Sequence, residues 1–194
     1  MKFYIMHPDR ETLNLTGIKP NDHIRLLQKD FQSIGNDNLK CGRFAVVAPG
    51  NSFGIMDGGF DLEILKRFGS GVQAEMQAKI AEEYFGELPV GCAVTAGLIP
   101  LIVYAPTMQV PMNINGTANV FYATQAAIRM AKRWECDNML FPLMGAGAGM
   151  MDLPDVGEQM TAAIEFSLYT PNKIDWDYAI NRHTTWHQLV HLPE

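Results

Sequence analysis

Asn138-Met-Leu-Phe-Pro-Leu-Met-Gly-Ala-Gly-Ala-Gly149 joins an apolar run to a chain of very small residues. The first part has the length and composition of a buried strand. The run Gly145-Ala-Gly-Ala-Gly149 carries no side chain larger than a methyl group. A strand that opens into such residues leaves backbone N–H groups free to face an anion, which is the chemistry of a phosphate cradle. A second segment repeats the order. The apolar strand Phe44-Ala-Val-Val-Ala48 is followed by Asn51-Ser-Phe-Gly-Ile-Met-Asp-Gly-Gly-Phe-Asp61, again with a glycine pair. Two loops of this kind at two strand ends predict a site for a phosphate-bearing ligand.

The spacing narrows which nucleotide fold this is. A dinucleotide fingerprint needs Gly-x-Gly-x-x-Gly at a helix start, with an acid ending the next strand. Here the glycines fall at 145, 147 and 149, and the acid about twenty residues on, Glu165, lies inside a helical pattern. A P-loop needs Gly-Lys-Ser/Thr, which is missing.

Outward from these loops, strands alternate with helices. Lys2–Met6 is a short strand, and Ile24, Leu27, Phe31 and Ile34 recur at three and four, predicting a helix after Pro20-Asn21. Asp61 opens a helix ended by Gly69, and Val72, Met76, Ile80 and Tyr84 mark another ended by Gly86. Gly91–Thr95 and Leu98–Tyr104 are two strands around a turn. Ala118–Trp134 is a helix with Arg129, Lys132 and Arg133 toward its C-terminal end, where cations suit the macrodipole. A helix spans about Pro154–Tyr169, and the alternation of Ile174, Trp176, Tyr178 and Ile180 predicts a last strand. The pattern is α/β, with helices on both faces of a mixed central sheet.

Bulk properties bound the function. The 194 residues are 47% hydrophobic and 19% charged, and the span 1–194 is expected to be a single domain. The formal net charge of −6 argues against an extended nucleic-acid footprint, which needs clustered Lys and Arg. It leaves room for a nucleotide pocket lined by amides. No apolar run is long enough to cross a bilayer, and the first residues are too short for a signal peptide. Cys41, Cys92 and Cys136 form neither a disulfide framework nor a zinc motif, so a cytoplasmic protein without metal or cofactor is expected. His183, His187 and His191 recur every four residues, but Thr184 stands where a zincin has Glu, so they are expected on a C-terminal surface helix.

In the first loop, Asn51 offers a donor and an acceptor on a short side chain, Gly58-Gly59 lets a ligand approach the backbone, and Asp61 sits at a helix start. A turn former and a helix cap are the structural uses of Asn51 and Asp61; their combination around a glycine pair points to a site.

Val46-Val-Ala-Pro-Gly-Asn-Ser-Phe-Gly54, Asp57-Gly-Gly-Phe-Asp61, Pro89-Val-Gly-Cys-Ala-Val-Thr95 and Phe141-Pro-Leu-Met-Gly-Ala-Gly147 resemble, in order, the blocks of macro domains, which are ADP-ribose-binding modules. The match covers about residues 44–165, leaving 170–194 as a C-terminal strand and tail. The wording is similar to a divergent branch found in bacteria and bacteriophages, with Tyr104-Ala-Pro-Thr-Met108 where the family has a His-containing strand end. The resemblance implies a three-layer α/β/α sandwich. It implies ligand contacts at Ser52, at Gly58, Gly59 and Phe60 for the distal ribose and a phosphate, and at Gly145, Ala146, Gly147, Ala148, Gly149 and Met150 for the diphosphate. Asn51 and Asp61 keep the spacing of the pair that flanks the distal ribose in MacroD-type hydrolases. By that likeness Asn51 orients the ribose and Asp61 positions or activates water. The family's adenine-binding Asp, from a Gly-Asp-Ile turn, has its nearest candidate in Asp37. The departures are Asp57 before the glycine pair, Leu62 after Asp61, and Gly149 where an aromatic residue commonly lies.

The expectation is therefore a binder of ADP-ribose or a related nucleotide that hydrolyses an ADP-ribosyl linkage, with an ADP-ribosylated protein among its partners and no membrane. A non-catalytic reader or nucleotide-sequestering protein, an ADP-ribose 1″-phosphate phosphatase and a structural protein of a phage particle are the alternatives. A phage-encoded form would work in the host cytoplasm.

Overall fold

A computed structural model describes residues 1–40 and 43–189. Six strands form one sheet: β1 Lys2–His7, β2 Ile24–Gln28, β3 Phe44–Ala48, β4 Val94–Ala96, β5 Leu101–Tyr104 and β6 Asn138–Pro142. Their order is β2-β1-β6-β3-β5-β4. Every neighbouring pair is parallel except β4 with β5, so the sheet is mixed, as expected.

The described residues form seven helices: α1 Arg10–Leu15, α2 Asn36–Lys40, α3 Gly59–Phe68, α4 Gly71–Tyr84, α5 Asn119–Arg133, α6 Leu153–Leu168 and α7 Trp176–Leu189, the last packing on α6. Alternation along the strands divides the core in two. Phe3, Ile5, Ala45, Val47, Val103 and Phe141 face one layer with residues of α1, α5 and α6. Met6, Val46, Ala48, Ile102, Tyr104 and Leu140 face the other with residues of α3 and α4. The result is the three-layer sandwich.

Two elements differ from the sequence expectation. Ile24–Gln28 is a strand rather than the start of a helix, paired in register with β1 from Phe3↔Ile24 to His7↔Gln28. Ile24 and Leu26 pack on one face of the sheet and Leu27 on the other. The three-and-four spacing arose because this short strand runs into a 3-10 turn, Phe31–Ser33, that adds Phe31 and Ile34 to the same core. The expected strand over Ile174–Ile180 is instead the approach to and first turns of α7. Asp175 Oδ1 accepts from Tyr178 N–H at 3.0 Å, a helix-capping bond, while Ile174 and Trp176 stay exposed. The sheet position beside β6 is already filled by β1. His183 and His187 lie within α7, and His191 lies outside the described residues.

The topology sets where a ligand can enter. Strands β3 and β6 are parallel neighbours, yet α3 follows β3 on one face and α6 follows β6 on the other. Such a divergence opens a crevice at the carboxyl ends of the strands, the usual ligand position in α/β sheets. Both glycine-bearing loops leave from this point.

The α6 layer is held close to α1 by Gly157, where an added Cβ would lie 1.8 Å from the Thr16 carbonyl oxygen. Gly→Ala inside a helix ordinarily gains up to about 1 kcal/mol in propensity. Here overpacking against backbone, typically costing about 1–3 kcal/mol or more, outweighs that gain. Gly157→Ala is expected to lower the urea midpoint at unchanged m-value; a raised midpoint would contradict this packing.

Candidate functional site: a double cleft at the strand ends

The smaller of two adjoining clefts, about 280 Å³, is lined by Asn51, Gly58, Gly59, Asp61 and the loop residues Gly145 and Gly147–Gly149. The larger, about 630 Å³, is lined by His7, Asp30, Phe31, Ala146 and Met151, among others. Phe60, Pro142, Leu143 and Gly147 line both, so the two run into one another. Pockets of several hundred Å³ suit nucleotide-sized ligands.

Backbone amides are the main polar surface between them. Gly145, Gly147, Ala148 and Gly149 N–H groups have no acceptor among the described residues, whereas Ala146, Met150 and Met151 N–H groups close the loop onto Leu143, Gly147 and Gly145. Across the cleft, α3 begins after Gly58, which offers no side-chain cap. The first-turn amides of a helix have no intrahelical acceptor, so Gly59, Phe60 and Asp61 also present free donors at its positive end.

The loop is braced from one side. Ile114 N–H donates to the Gly149 carbonyl at 2.8 Å. A Cβ on Gly149 would sit 2.5 Å from Gly145 O and 3.0 Å from the Ile114 side chain. Gly145 has φ +75°, and a Cβ there would meet Val120 at 2.7 Å. Ile114 thus fills the space a larger residue at 149 would need, which accounts for the missing aromatic ring. Met150, at φ 49°, is exposed and lines neither cleft.

Asn51 is buried at the end of β3, with its side chain largely engaged. Oδ1 accepts from Phe53 N–H at 3.0 Å and Ile55 N–H at 3.3 Å, and Nδ2 donates to Ile55 O at 2.7 Å. One Nδ2 hydrogen remains free for a ligand. Tyr104, fully buried, fixes the Asn51 backbone: its hydroxyl accepts from Asn51 N–H and donates to Asn51 O, each at 2.9 Å. Ser52 is buried and bonded to Met108 and Gln109 carbonyls, so it supports the loop without lining either cleft.

Asp61 is not a helix cap; Gly58 holds that position. Asp61 is 7% exposed, and its Oδ1 has no hydrogen-bond partner among the described residues. Burial, and secondarily the charge of Asp57, push its pKa up to about 7. Burial, with the Asp61 charge next in weight, also raises the Tyr104 phenol above its ordinary value. An uncapped, unpaired carboxyl held near neutral pH beside a ligand cleft is a general acid–base candidate.

Asp37 lies exposed on α2 and lines neither cleft. Asp30, two residues past β2, lines the larger one and caps the 3-10 turn through Ser33 N–H at 2.9 Å. Arg67 on α3 holds this turn by donating to Phe31 O at 2.6 Å and to Asn36 Oδ1 at 2.7 Å. The Phe31 and Phe60 rings meet at 4.9 Å. Lys29-Asp30-Phe31 shares only its Asp with a Gly-Asp-Ile turn, so no motif in the sequence marks it. Among the described residues, no group of three or more His, Cys, Asp or Glu is arranged to hold a metal, and no helix is long and apolar enough to cross a membrane.

A carboxyl whose folded pKa is raised holds a proton that the unfolded chain releases near its ordinary 3.8. Stability therefore falls as pH rises from about 4 to about 7, by up to about 1.4 kcal/mol per pH unit crossed, and then levels off. Asp61→Asn is expected to stabilise the fold at pH 8 far more than at pH 4, checked by thermal melts at both. Equal shifts at the two pH values would show that Asp61 ionises normally.

Comparison with known proteins identifies the fold and the family. A protein of Aeropyrum pernix, described only as uncharacterized, is 33% identical over 131 residues, 66% of this chain and 66% of its own length. A macrodomain of Oceanobacillus iheyensis solved with ADPR superposes with a TM-score of 0.58 at 18% identity, covering 79% of this chain and 90% of that one. The macrodomain of Mycobacterium tuberculosis DarG gives 0.55 at 20% identity over 66% of this chain and 85% of that one. The Macro domain family model matches residues 47–160, from the middle of β3 into α6, and so contains both glycine loops and Asp61; this chain belongs to the macro domain family.

Proposed function

We propose that this protein binds ADP-ribose, or a nucleotide containing it, along the joined clefts and hydrolyses a linkage at the anomeric carbon of the distal ribose. The observation that carries this reading is the two facing sets of free amides, Gly59–Asp61 on one side and Gly145, Gly147, Ala148 and Gly149 on the other, beside a buried carboxyl whose Oδ1 has no partner among the described residues. In this arrangement the diphosphate lies between the amide sets and the distal ribose lies over Asn51 and Asp61. The adenosine occupies the larger cleft, with Asp30 rather than Asp37 at the adenine and the Phe31–Phe60 pair beside it. Ala146, which lines that cleft, stands at the junction of adenosine and diphosphate.

Asp61 takes a proton from the attacking water, and the remaining Asn51 Nδ2 hydrogen holds a ribose hydroxyl. A base with a pKa near the working pH is the efficient choice for such a step. Among the described residues, no lysine or arginine lines either cleft. With a net charge of −6, this supports a small nucleotide or an ADP-ribosylated protein in the cytoplasm as the partner, rather than a nucleic-acid strand.

A second reading, a reader without turnover, is favoured by the engagement of Asn51 in its own turn. Calorimetry with ADP-ribose is expected to give one-to-one binding. Asp61→Ala is expected to change affinity by less than about 1 kcal/mol while lowering kcat by about 10²–10⁴ on ADP-ribosylated substrates. Binding without turnover of any linkage, including ADP-ribose 1″-phosphate, would establish the reader. A lack of binding would overturn both readings and favour a structural role.

A further inference from the structure

The proposed hydrolysis leaves Asp57 without a task. Its side chain is exposed, makes no hydrogen bond or ion pair among the described residues, and lines the smaller cleft but not the larger one. Asp61 lines the same small cleft. Ile55, 45% exposed, and Pro111 line the same cleft and are likewise absent from the larger one.

If adenosine fills the larger cleft, the group attached to the distal ribose leaves past these residues. A carboxylate flanked by apolar side chains and free of basic neighbours discriminates by charge and shape. A phosphate or nucleic-acid strand meets Asp57 and Asp61 with no compensating cation. A neutral ester leaves Asp57 unpaired. A planar cation, weakly hydrated on its faces, packs one face on Ile55 and Pro111 and gives its charge to Asp57.

We propose that the linkage recognised at this site joins ADP-ribose to a planar cationic nitrogen group, a guanidinium or a pyridinium, with Asp57 as its counter-ion. This rests on the ADP-ribose reading above and specifies its substrate class. The second carboxylate of the pair is Asp61, a residue of the same cleft lining, whose buried Oδ1 has no partner among the described residues. In the reaction the bond from the anomeric carbon to nitrogen breaks, with its electron pair going to nitrogen. The leaving group departs as neutral guanidine or pyridine, and the positive charge passes to the anomeric carbon. The water oxygen bonds to that carbon and Asp61 accepts the water proton. The proton is then delivered to the departing guanidine, or to solvent when pyridine leaves. Atoms and charge balance without an oxidant. Asp57 holds the cation before cleavage, so it acts on affinity and selectivity more than on kcat.

The test uses the full chain carrying Asp61→Asn, so that ligands survive, and measures calorimetric affinities for ADP-ribose, ADP-ribosyl-arginine and NAD. At least one cationic ligand is expected to bind about three- to ten-fold tighter than ADP-ribose, the range for a partly exposed ion pair. The arginine and NAD arms separate guanidinium from pyridinium. Adding Asp57→Asn is expected to erase the advantage while leaving the ADP-ribose affinity within about two-fold; because the residue is exposed, unchanged melting verifies the fold. Cationic ligands that bind no tighter than ADP-ribose, or an advantage that survives Asp57→Asn, would overturn the assignment. Failure of ADP-ribose itself to bind would instead remove the reading on which it rests.

Discussion

The hydroxyl of Tyr104 and Oδ2 of Asp61 converge above Gly50, at 2.0 and 2.4 Å from the point where a side chain on that residue would begin. Only a bare Cα at the end of β3 permits this approach. Tyr104, from the neighbouring strand β5, then fixes Asn51 through both of its backbone groups, while α3 carries Asp61 in from the layer above. Strand register, loop shape and the depth of the carboxyl are therefore coupled through one glycine. The arrangement places an ionisable group where solvation is poor, and the raised pKa of Asp61 is the direct consequence.

The second constraint is electrostatic. In a chain of net charge −6, whose clefts are lined by carboxylates and, among the described residues, by no lysine or arginine, backbone dipoles are what attracts an anionic diphosphate. The amides of Gly145–Gly149 and the uncapped start of α3 supply them. Backbone donors act on phosphate oxygens at close range and leave the surroundings acidic, so a site of this kind favours small ligands over polyanions. The brace from Ile114 holds the loop in the one shape that turns these amides outward.

The central parts of this site were legible because the information is local. An apolar strand ending in consecutive small residues declares itself at 44–59 and at 138–149, and β3, α3, β6 and α6 lie close to where the pattern put them. Elements whose identity depends on distant partners were not legible. Residues 24–28 send apolar side chains to both faces of the sheet, so polar and apolar residues do not alternate along them, and their strand character comes from pairing with β1. Asp37, the nearest candidate for a Gly-Asp-Ile turn in the sequence, lines neither cleft, whereas Asp30 lines the larger one. The alternation at 174–180 is a pattern without a sheet to receive it, overridden by the Asp175 cap. The brace of Ile114 on Gly149 links residues 35 apart in sequence, and no motif announces it.

The account turns on whether the free amides at the two strand ends receive a diphosphate. Amide chemical shifts of the labelled protein, followed by NMR through a titration with ADP-ribose, measure this residue by residue. The account predicts saturable shifts concentrated at Gly58–Asp61 and Gly145–Gly149, with smaller ones around Asp30 and Phe31. Shifts confined to other surfaces, or none at ligand concentrations that saturate other macro domains, would contradict it.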